Sequence, residues 1–129
     1  MKYLGIDYGA KNIGLSVSDE TGSFAFAFSV LKNSPRLLFE IADICKENKI
    51  GEIVVGQSLN FEQKENDIMK EIKPFVSKLQ EMLGLPVSMH PEFMTSMEAE
   101  HLQGKNDMHD ASAAALILKS YLETNTSTS

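Results

Sequence analysis

The first thirty residues contain three short runs in which apolar and polar positions follow each other at the spacing of strands. Residues 2–7 and 13–18 flank the turn "YGAKN", whose glycine suits a tight reversal. A third run, residues 24–31, follows the turn "DETGS" and alternates with period two. The pattern predicts three consecutive antiparallel strands. The large side chains of the third run, which we expect to face the core, are Phe24, Phe26 and Phe28.

The pattern then takes the period of an amphipathic helix. Ser34 and Pro35 suit an N-cap and a first helical position, and an apolar stripe continues to about residue 48. The run "GEIVVGQ", residues 51–57, is short and β-branched, as in strands that are buried within a parallel sheet. We therefore predict a helix followed by a buried strand.

A second and longer amphipathic pattern covers residues 65–83 and ends at Gly84, a residue type that commonly stops helices. Pro74 lies inside this pattern, where proline can bend a helix. Further along, residues 85–90 predict another short strand, and residues 96–103 predict a short helix.

The chain ends with a strong helical pattern over residues 109–123 and a polar tail, residues 124–129. The tail has no apolar anchors, and we expect it to be disordered. The predicted order is β-β-β-α-β-α-β-α-α, which indicates a single α/β domain over residues 1–123. Its expected architecture is a mixed five-stranded sheet, first antiparallel and then parallel, flanked by helices.

Eighteen acidic residues against twelve basic ones give the chain a net charge of -6. This balance is unfavourable for nucleic-acid binding, because contacts to phosphate usually provide most of the affinity. Bound divalent cations or a local basic patch can nevertheless reverse the field at one site. The sequence contains no apolar run typical of a membrane span or signal peptide, so we expect a cytoplasmic protein without a membrane partner.

The single cysteine, Cys45, lies on the apolar stripe of the first predicted helix. Its position predicts a buried side chain rather than a reactive thiol. The three histidines, His90, His101 and His109, do not follow the ligand spacings of structural zinc sites. We therefore expect neither an internal disulfide nor a zinc site.

Four stretches of the chain carry a resemblance to a known family. They are "GIDYGAKNIGLSVSD" (5–19), "IVVGQSLN" (53–60), "PEFMTSMEA" (91–99) and "HDASAAALILKSYL" (109–122). In order and spacing they resemble the YqgF/RuvX family of Holliday-junction resolvase-like proteins, which are also linked to maturation of the 5′ end of small-subunit ribosomal RNA. The resemblance implies a ribonuclease H-like fold and a nuclease that uses two divalent metal ions, Mg²⁺ or Mn²⁺, to hydrolyse phosphodiester bonds.

The resemblance assigns the catalytic and metal-binding carboxylates to Asp7, Glu92 and Asp110. Asp7 would project from the C-terminal end of the first strand, where open sheets of this kind place their ligands. Gly5 and Gly9 would leave room beside it for a metal or a phosphate. The alternative explanation is an aspartate that only caps the hairpin turn.

Asp110 falls in the first turn of the last predicted helix and shares a helix face with Ala113, Ala114 and Ile117. That spacing predicts that its side chain points toward the sheet. An acidic residue at a helix N-terminus also interacts favourably with the helix dipole, which is the alternative explanation. Asp107, three residues earlier, is a candidate for the helix cap.

The sequence departs from the family pattern around Glu92. Family members have Asp-Glu-Arg-Leu-Thr-Thr where this chain has "PEFMTS", so Pro91 and Phe93 replace an aspartate and an arginine. The first change removes a potential metal ligand, and the second removes a phosphate-binding group. Thr95 is retained, either as a substrate contact or, with Ser96, as a cap of the next helix.

The turn that follows Asp7 is altered as well. In the family a second basic residue usually follows the lysine that is Lys11 here, and this chain has Asn12 at that position. The resemblance leaves Lys11, Gly9 and Thr95 as the candidate substrate contacts. A single lysine in a turn is commonly only solvated, so the residue type alone does not assign that role.

Three functions are open from the sequence. The first is a metal-dependent nuclease that acts on branched DNA or on precursor 16S rRNA, and a symmetric four-way junction would call for a homodimer. The second is an RNase H-like protein with a weakened or lost activity, which binds nucleic acid or a protein. The third is suggested by the similarity of residues 6–19 to the phosphate hairpin of sugar kinases and actin-like ATPases. That function requires a second domain and a second phosphate loop, and the sequence shows neither.

Overall fold

The computed structural model describes residues 1–59, 62, 64–93 and 109–126, with the backbone alone for residues 92, 93, 109, 125 and 126. Within these ranges the chain forms strands and helices in an alternating order after an initial run of three strands. The elements are β1 (Lys2–Tyr8), β2 (Asn12–Ser18), β3 (Ala25–Lys32), α1 (Leu37–Glu47), β4 (Ile50–Leu59), α2 (Met69–Leu83), β5 (Val87–Phe93) and α3 (His109–Thr126).

The strands form one mixed sheet in the order β3-β2-β1-β4-β5. β1 pairs antiparallel with β2, which pairs antiparallel with β3, whereas β4 is parallel to β1 and to β5. Antiparallel neighbours need only short turns, while parallel neighbours need crossovers such as the one that α2 makes between β4 and β5. The predicted mixed five-stranded sheet flanked by helices is therefore confirmed.

The helices cover the two faces of the sheet in separate layers. On one face Ile6 and Val55 of the sheet pack with Ile41 of α1 and Ile72 of α2. On the other face a smaller cluster joins Val54 to three residues of α3, which are Ile117, Leu118 and Leu122. Val54 and Val55 follow each other and enter opposite layers, as the alternation of side chains along a strand requires.

The prediction that three phenylalanines of the third strand lie in the core is wrong. Phe24 is 66% exposed, Phe26 is 54% exposed and Phe28 is 38% exposed. β3 is an edge strand, and the helices that cover the centre of the sheet leave these side chains in solvent. The period of two distinguishes the two faces of a strand, but it does not tell whether another element covers the chosen face.

Helices α1 and α2 both begin later than the sequence predicts. Ser34 and Pro35 precede α1 in a turn, where the Ser34 hydroxyl oxygen accepts a hydrogen bond from the backbone N–H of Arg36 at 3.2 Å. α2 begins at Met69, because the chain before it stays beside β4: the N–H of Asn66 donates to the carbonyl oxygen of Ser58. α2 ends as predicted at Gly84, whose φ is 67°.

The fifth strand and the last helix are longer than the sequence predicts. β5 continues to Phe93 and so includes Pro91, which lacks a backbone donor. Proline is tolerated there because β5 is at the edge of the described sheet, where it pairs with β4 alone. α3 ends at Thr126 rather than at residue 123. The short helix predicted for residues 96–103 lies outside the described residues.

Cys45 is buried, as predicted, with 5% of its surface exposed. It packs in the layer that α1 contributes to, and burial raises the pKa of its thiol to about 11. Such a thiol stays protonated at neutral pH, and the thiolate is the reactive form. None of the helices in the described ranges combines the length and the apolar character that a bilayer crossing requires.

The turn between β2 and β3 is organised by the carboxylate of Asp19. It accepts hydrogen bonds from the Thr21 hydroxyl and from the backbone N–H groups of Ser23 and Phe24. These bonds, led by that of Thr21, lower the pKa of Asp19 from 3.8 to about 2. The ionised side chain thus fixes the point at which β3 begins.

We expect an NMR titration of the side-chain carboxyl to give a pKa of about 2 for Asp19. Because the folded-state pKa lies below the unfolded value, the stability that this group contributes is present above about pH 4 and is lost as the pH falls toward 2. Thr21→Val removes the largest cause of the shift, so it should raise this pKa and reduce the stability lost over that pH range. A pKa near 3.8 in the wild type would contradict the assignment.

Candidate active site

Asp7 lies one residue before the C-terminal end of β1 and is partly buried. Its neighbour Ile6 belongs to the layer of α1 and α2, so Asp7 points to the opposite face, which α3 covers. In the sheet Asp7 lies opposite Gly14 of β2. Because Ile6 pairs with Val55 of the parallel strand β4, Asp7 is also level with Gly56. Two of its neighbours in the sheet are therefore glycines.

Asp110 reaches the same place from the other end of the chain. A Cβ atom added to Gly14 would lie 1.8 Å from the backbone oxygen of Asp110 and 2.9 Å from the nitrogen of Ala111. The first turn of α3 therefore lies directly on Gly14. Residues that face each other in an antiparallel pair have Cα atoms about 4.5–5.5 Å apart. Gly14 faces Asp7 in this way and also contacts the backbone of Asp110, so Gly14 alone separates the backbones of the two aspartates.

Two further contacts fix how α3 lies on the sheet. A Cβ atom added to Gly5 would lie 2.9 Å from Cβ of Leu118, which shows how closely the helix approaches β1. The buried hydroxyl of Ser16 donates a hydrogen bond of 2.8 Å to the carbonyl oxygen of Ala114. Small residues on β1 and β2 thus set the height of α3 above the sheet, and the Ser16 bond fixes its position along β2.

Glu92 lies in β5 with its backbone opposite Ser58 of β4. β1, β4 and β5 are parallel, so Glu92 and Asp7 stand near the same end of the sheet with β4 between them. Their strands, β1 and β5, are thus separated by two strand spacings of about 4.8 Å each. The side chain of Glu92 lies outside the described part of the structure, as do the whole residues Asp107, Thr95 and Ser96.

The described side chains include no group of three His, Cys, Asp or Glu residues placed to hold a metal ion. The side chain of Glu92 lies outside that described set. Asp7 and Asp110 offer carboxylate oxygens, which are the ligands that Mg²⁺ and Mn²⁺ prefer. The donor chemistry of these two residues fits a divalent metal.

The turn between β1 and β2 carries the candidate substrate contacts. Lys11 is exposed, and its carbonyl oxygen accepts a hydrogen bond of 2.9 Å from the N–H of Asn33. The Asn33 side chain donates a second bond, of 3.0 Å, to the carbonyl oxygen of Gly9. Lys32 lies opposite Asn12 across the β2–β3 pair. A second lysine is therefore the cross-strand neighbour of Asn12, the position where the family's second basic residue is missing.

A polar cluster joins the second half of α3 to the β4–β5 side of the sheet. The Tyr121 hydroxyl donates a hydrogen bond of 2.6 Å to the carboxylate of Glu52. His90 Nε2 lies 2.9 Å from the Ser120 hydroxyl oxygen, and the His90 ring meets the Tyr121 ring edge-on. Partial burial lowers the pKa of His90, which favours a neutral imidazole. These contacts attach α3 to β4 and β5.

Sequence reasoning missed the residues that hold the two aspartates in place. Gly14 provides the contact surface for the first turn of α3, Ser16 binds the helix backbone, and Asn33 braces the turn that carries Lys11. A signal for two of them is present in β2, where small residues alternate with large apolar ones in "IGLSVS". Such alternation indicates a close-packed helix on one face of the strand.

A family model described as "RuvX: Holliday junction resolvase" matches residues 1–124 of the chain. A protein of Nitratidesulfovibrio vulgaris (strain Miyazaki F) is 33% identical over 125 residues, which cover 95% of this chain and 84% of that protein. A protein of Maridesulfovibrio salexigens is 29% identical over 133 residues, covering 95% and 98%. Both relatives carry the provisional name of pre-16S rRNA nuclease.

Solved structures show the same fold at lower identity. The RuvC protein of T. thermophilus, solved in complex with a Holliday junction, superposes with a TM-score of 0.64. It is 19% identical, and the match covers 98% of this chain and 96% of that one. The fowlpox virus Holliday junction resolvase gives a TM-score of 0.57 at 13% identity, covering 97% of this chain and 99% of that one. At these identities the likeness concerns the fold alone.

The packing of α3 on Gly14 predicts a large effect of Gly14→Ala. The new methyl group would clash with backbone, which cannot rotate away, so we expect a loss of about 2–4 kcal/mol in the free energy of unfolding, measured with urea. Gly51→Ala is the matched control in β4, since its methyl group would mainly meet the flexible side chain of Met1. That variant should stay within about 1 kcal/mol of the wild type. Equal losses in the two variants would contradict the proposed packing.

Proposed function

Because this chain belongs to the RuvX family, we propose that it is a nuclease that hydrolyses phosphodiester bonds in structured nucleic acid with the help of divalent metal ions. The observation that carries the proposal is the convergence of Asp7 and Asp110 on Gly14. These aspartates are separated by most of the sequence, and the fold brings their backbones together at the end of β1. An aspartate that only caps a turn, or only interacts with a helix dipole, would not require that convergence.

We assign Asp7, Asp110 and Glu92 as the ligands that would hold Mg²⁺ or Mn²⁺. When bound by carboxylates, such ions stabilise the charge that develops on the attacking and leaving oxygens of a phosphodiester. The chain's own contribution is to fix two carboxylates on a helix and a strand that pack tightly together. Rigid support of this kind keeps ligands in place before substrate binds, which lowers the cost of reaching the reactive geometry.

Lys11 and Gly9 are the proposed substrate contacts on the described part of the chain. Lys11 is exposed at the same end of the sheet as Asp7, and Asn33 holds the backbone of its turn. Lys32, across from Asn12, adds a second positive charge near this corner. A local pair of ammonium groups helps an acidic chain to accept a phosphate backbone. Thr95, which lies outside the described residues, remains a third proposed contact.

We propose precursor 16S rRNA as the first substrate to test, because relatives that match nearly the whole chain bear the provisional name of pre-16S rRNA nuclease. Four-way DNA junctions are the second, because the family model is described as a Holliday junction resolvase. The proposed location of either reaction is the cytoplasm.

A second candidate function is a non-catalytic member of the family that binds nucleic acid or a protein. The replacement of a family aspartate and arginine by Pro91 and Phe93 favours it. Pro91 is accommodated within the edge strand β5, which still pairs with β4 through residue 93. The strand is thus preserved while two functional groups are missing, a pattern compatible with loss of activity without loss of the fold.

The decisive test measures Mn²⁺ binding by calorimetry and cleavage of labelled precursor 16S rRNA and of a labelled four-way DNA junction. We expect the wild type to cut one substrate only in the presence of metal. Asp7→Asn and Asp110→Asn should each weaken metal binding and lower cleavage by about 100-fold or more, because each removes a negative ligand from the site.

Asp43→Asn is the matched control, since Asp43 is an exposed aspartate of α1 on the other side of the sheet. It should bind metal and cut substrate as the wild type does. A folded wild-type protein that binds no metal and cuts neither substrate would contradict the nuclease and favour the binding function. Equal activity in Asp7→Asn and the wild type would contradict the assignment of the site.

A further inference from the structure

Apart from Lys32 at its end, β3 takes no part in the proposed nuclease site. Among the described residues β3 pairs with β2 alone, and three large side chains, Phe24, Phe26 and Phe28, are exposed along it. An edge strand presents unpaired backbone groups, which makes it a template for another strand. We propose that a second copy of this chain pairs with this edge, β3 against β3 in antiparallel orientation.

This edge carries little of the protection that natural sheets place on exposed strands. Such edges are commonly blocked by charged side chains, prolines or bulges. Residues 21–31 contain no charged residue and no proline. Phe28 is the extra residue of a bulge, because Ala27 pairs with Ser16 and Ser29 pairs with Leu15. The bulge leaves the segment from Phe24 to Ala27 regular, apolar and available.

The sequence of β3 is suited to pairing with itself about a two-fold axis. An axis at Phe26 places this residue opposite Phe26 of the second copy. It also brings Phe24 of each copy to the bulge that carries Phe28 of the other. A closed two-fold contact must be self-complementary, and this register satisfies that condition with an aromatic side chain at the axis and aromatic side chains on both sides of it. Cross-strand aromatic pairs are among the stabilising pairs of antiparallel sheets.

The charges at the two ends of β3 favour the antiparallel orientation. Glu20 lies in the turn before the strand, Lys32 is its last residue, and both are exposed. In antiparallel pairing, the turn that carries Glu20 of each copy lies at the same end of the interface as Lys32 of the other copy. A nucleic acid is a poorer occupant, because the central stretch is neutral and Asp19 and Glu20 stand at one end of it.

The area of the phenylalanine row indicates how strong the contact can be. A phenylalanine side chain that is completely buried covers about 200 Å², so the exposed parts of the three amount to roughly 300 Å² in each copy. A stable dimer usually buries about 800 Å² in each partner. The row therefore supplies a substantial part of an interface, and the strand backbone and its flanks supply the rest. We expect a dimer of micromolar affinity that dissociates on dilution.

Pairing of the two β3 edges would also place two candidate nuclease sites on one dimer, a point that rests on the proposed function. A two-fold axis that joins two sheets edge to edge is perpendicular to them, so α3 of both copies lies on the same side. The two β1 strands would be separated by five strand spacings, or about 24 Å across the joined sheet. Both candidate sites would then face one substrate that has two-fold symmetry.

Sedimentation equilibrium over a range of concentrations up to about 100 µM tests the dimer without reference to cleavage. We expect the wild type to dimerise and Phe26→Lys to weaken dimerisation by at least about tenfold, because two like charges would meet at the axis. Met82→Lys is the matched control. Met82 is a 42% exposed apolar residue of α2, the helix that packs near β4 and β5, and its variant should dimerise as the wild type does.

A cysteine scan tests the register. The native Cys45 is buried, so an introduced cysteine is the only accessible thiol among the described residues. Under mild oxidation, two molecules of the Phe26→Cys variant should form a disulfide with each other. Phe24→Cys and Phe28→Cys should form an intermolecular disulfide only when the two variants are mixed. Met82→Cys should remain uncrosslinked in all mixtures.

The proposal is overturned if the wild type is monomeric at every concentration, or if Phe26→Lys dimerises like the wild type. It is equally overturned if Phe26→Cys fails to crosslink in a folded protein. A monomer that binds single-stranded RNA and loses this binding in Phe26→Lys would show that the phenylalanine row contacts nucleic acid instead. Neither method measures cleavage, so a failed dimer and a failed nuclease give different results.

Discussion

The contact between the first turn of α3 and Gly14 is the constraint on which the candidate site depends. The backbone of Asp110 lies where a side chain at position 14 would have to be, so only glycine allows the helix to come this close. Gly14 is also the cross-strand neighbour of Asp7. One missing side chain therefore brings together the backbones of two aspartates that lie far apart in the sequence.

The same helix is held along its length by contacts of different chemical kinds. Gly5 allows close approach, the Ser16 hydroxyl binds a backbone carbonyl of the helix, and Tyr121 binds Glu52 near the opposite end. Such directional contacts fix the position and rotation of a helix, which the apolar cluster of Val54 with α3 would leave less defined. Precise placement matters for the proposed site, because carboxylates that are to share a metal tolerate little displacement.

The position of strands within the sheet explains how the chain accommodates unusual residues. β5 is an edge strand, so Pro91 costs no hydrogen bond to a neighbour on its outer side. β3 is the opposite edge, so its phenylalanines can remain exposed without opening the core. Changes at the margins of this sheet can therefore alter ligands and surfaces while the central strands keep their pairing.

The sequence by itself determined the type and order of the described elements, the mixed sheet and the burial of Cys45. These features follow from local periodicity, from turn residues such as Gly84 and from the need of parallel strands for crossovers. The family resemblance also selected Asp7, Glu92 and Asp110 as site candidates. Only the tertiary structure decided that Gly14 joins Asp7 to Asp110, that α2 starts late beside β4, and that Phe26 stays exposed. The reason is physical: a local pattern records which side of an element is apolar, whereas coverage and close approach depend on which distant element packs there.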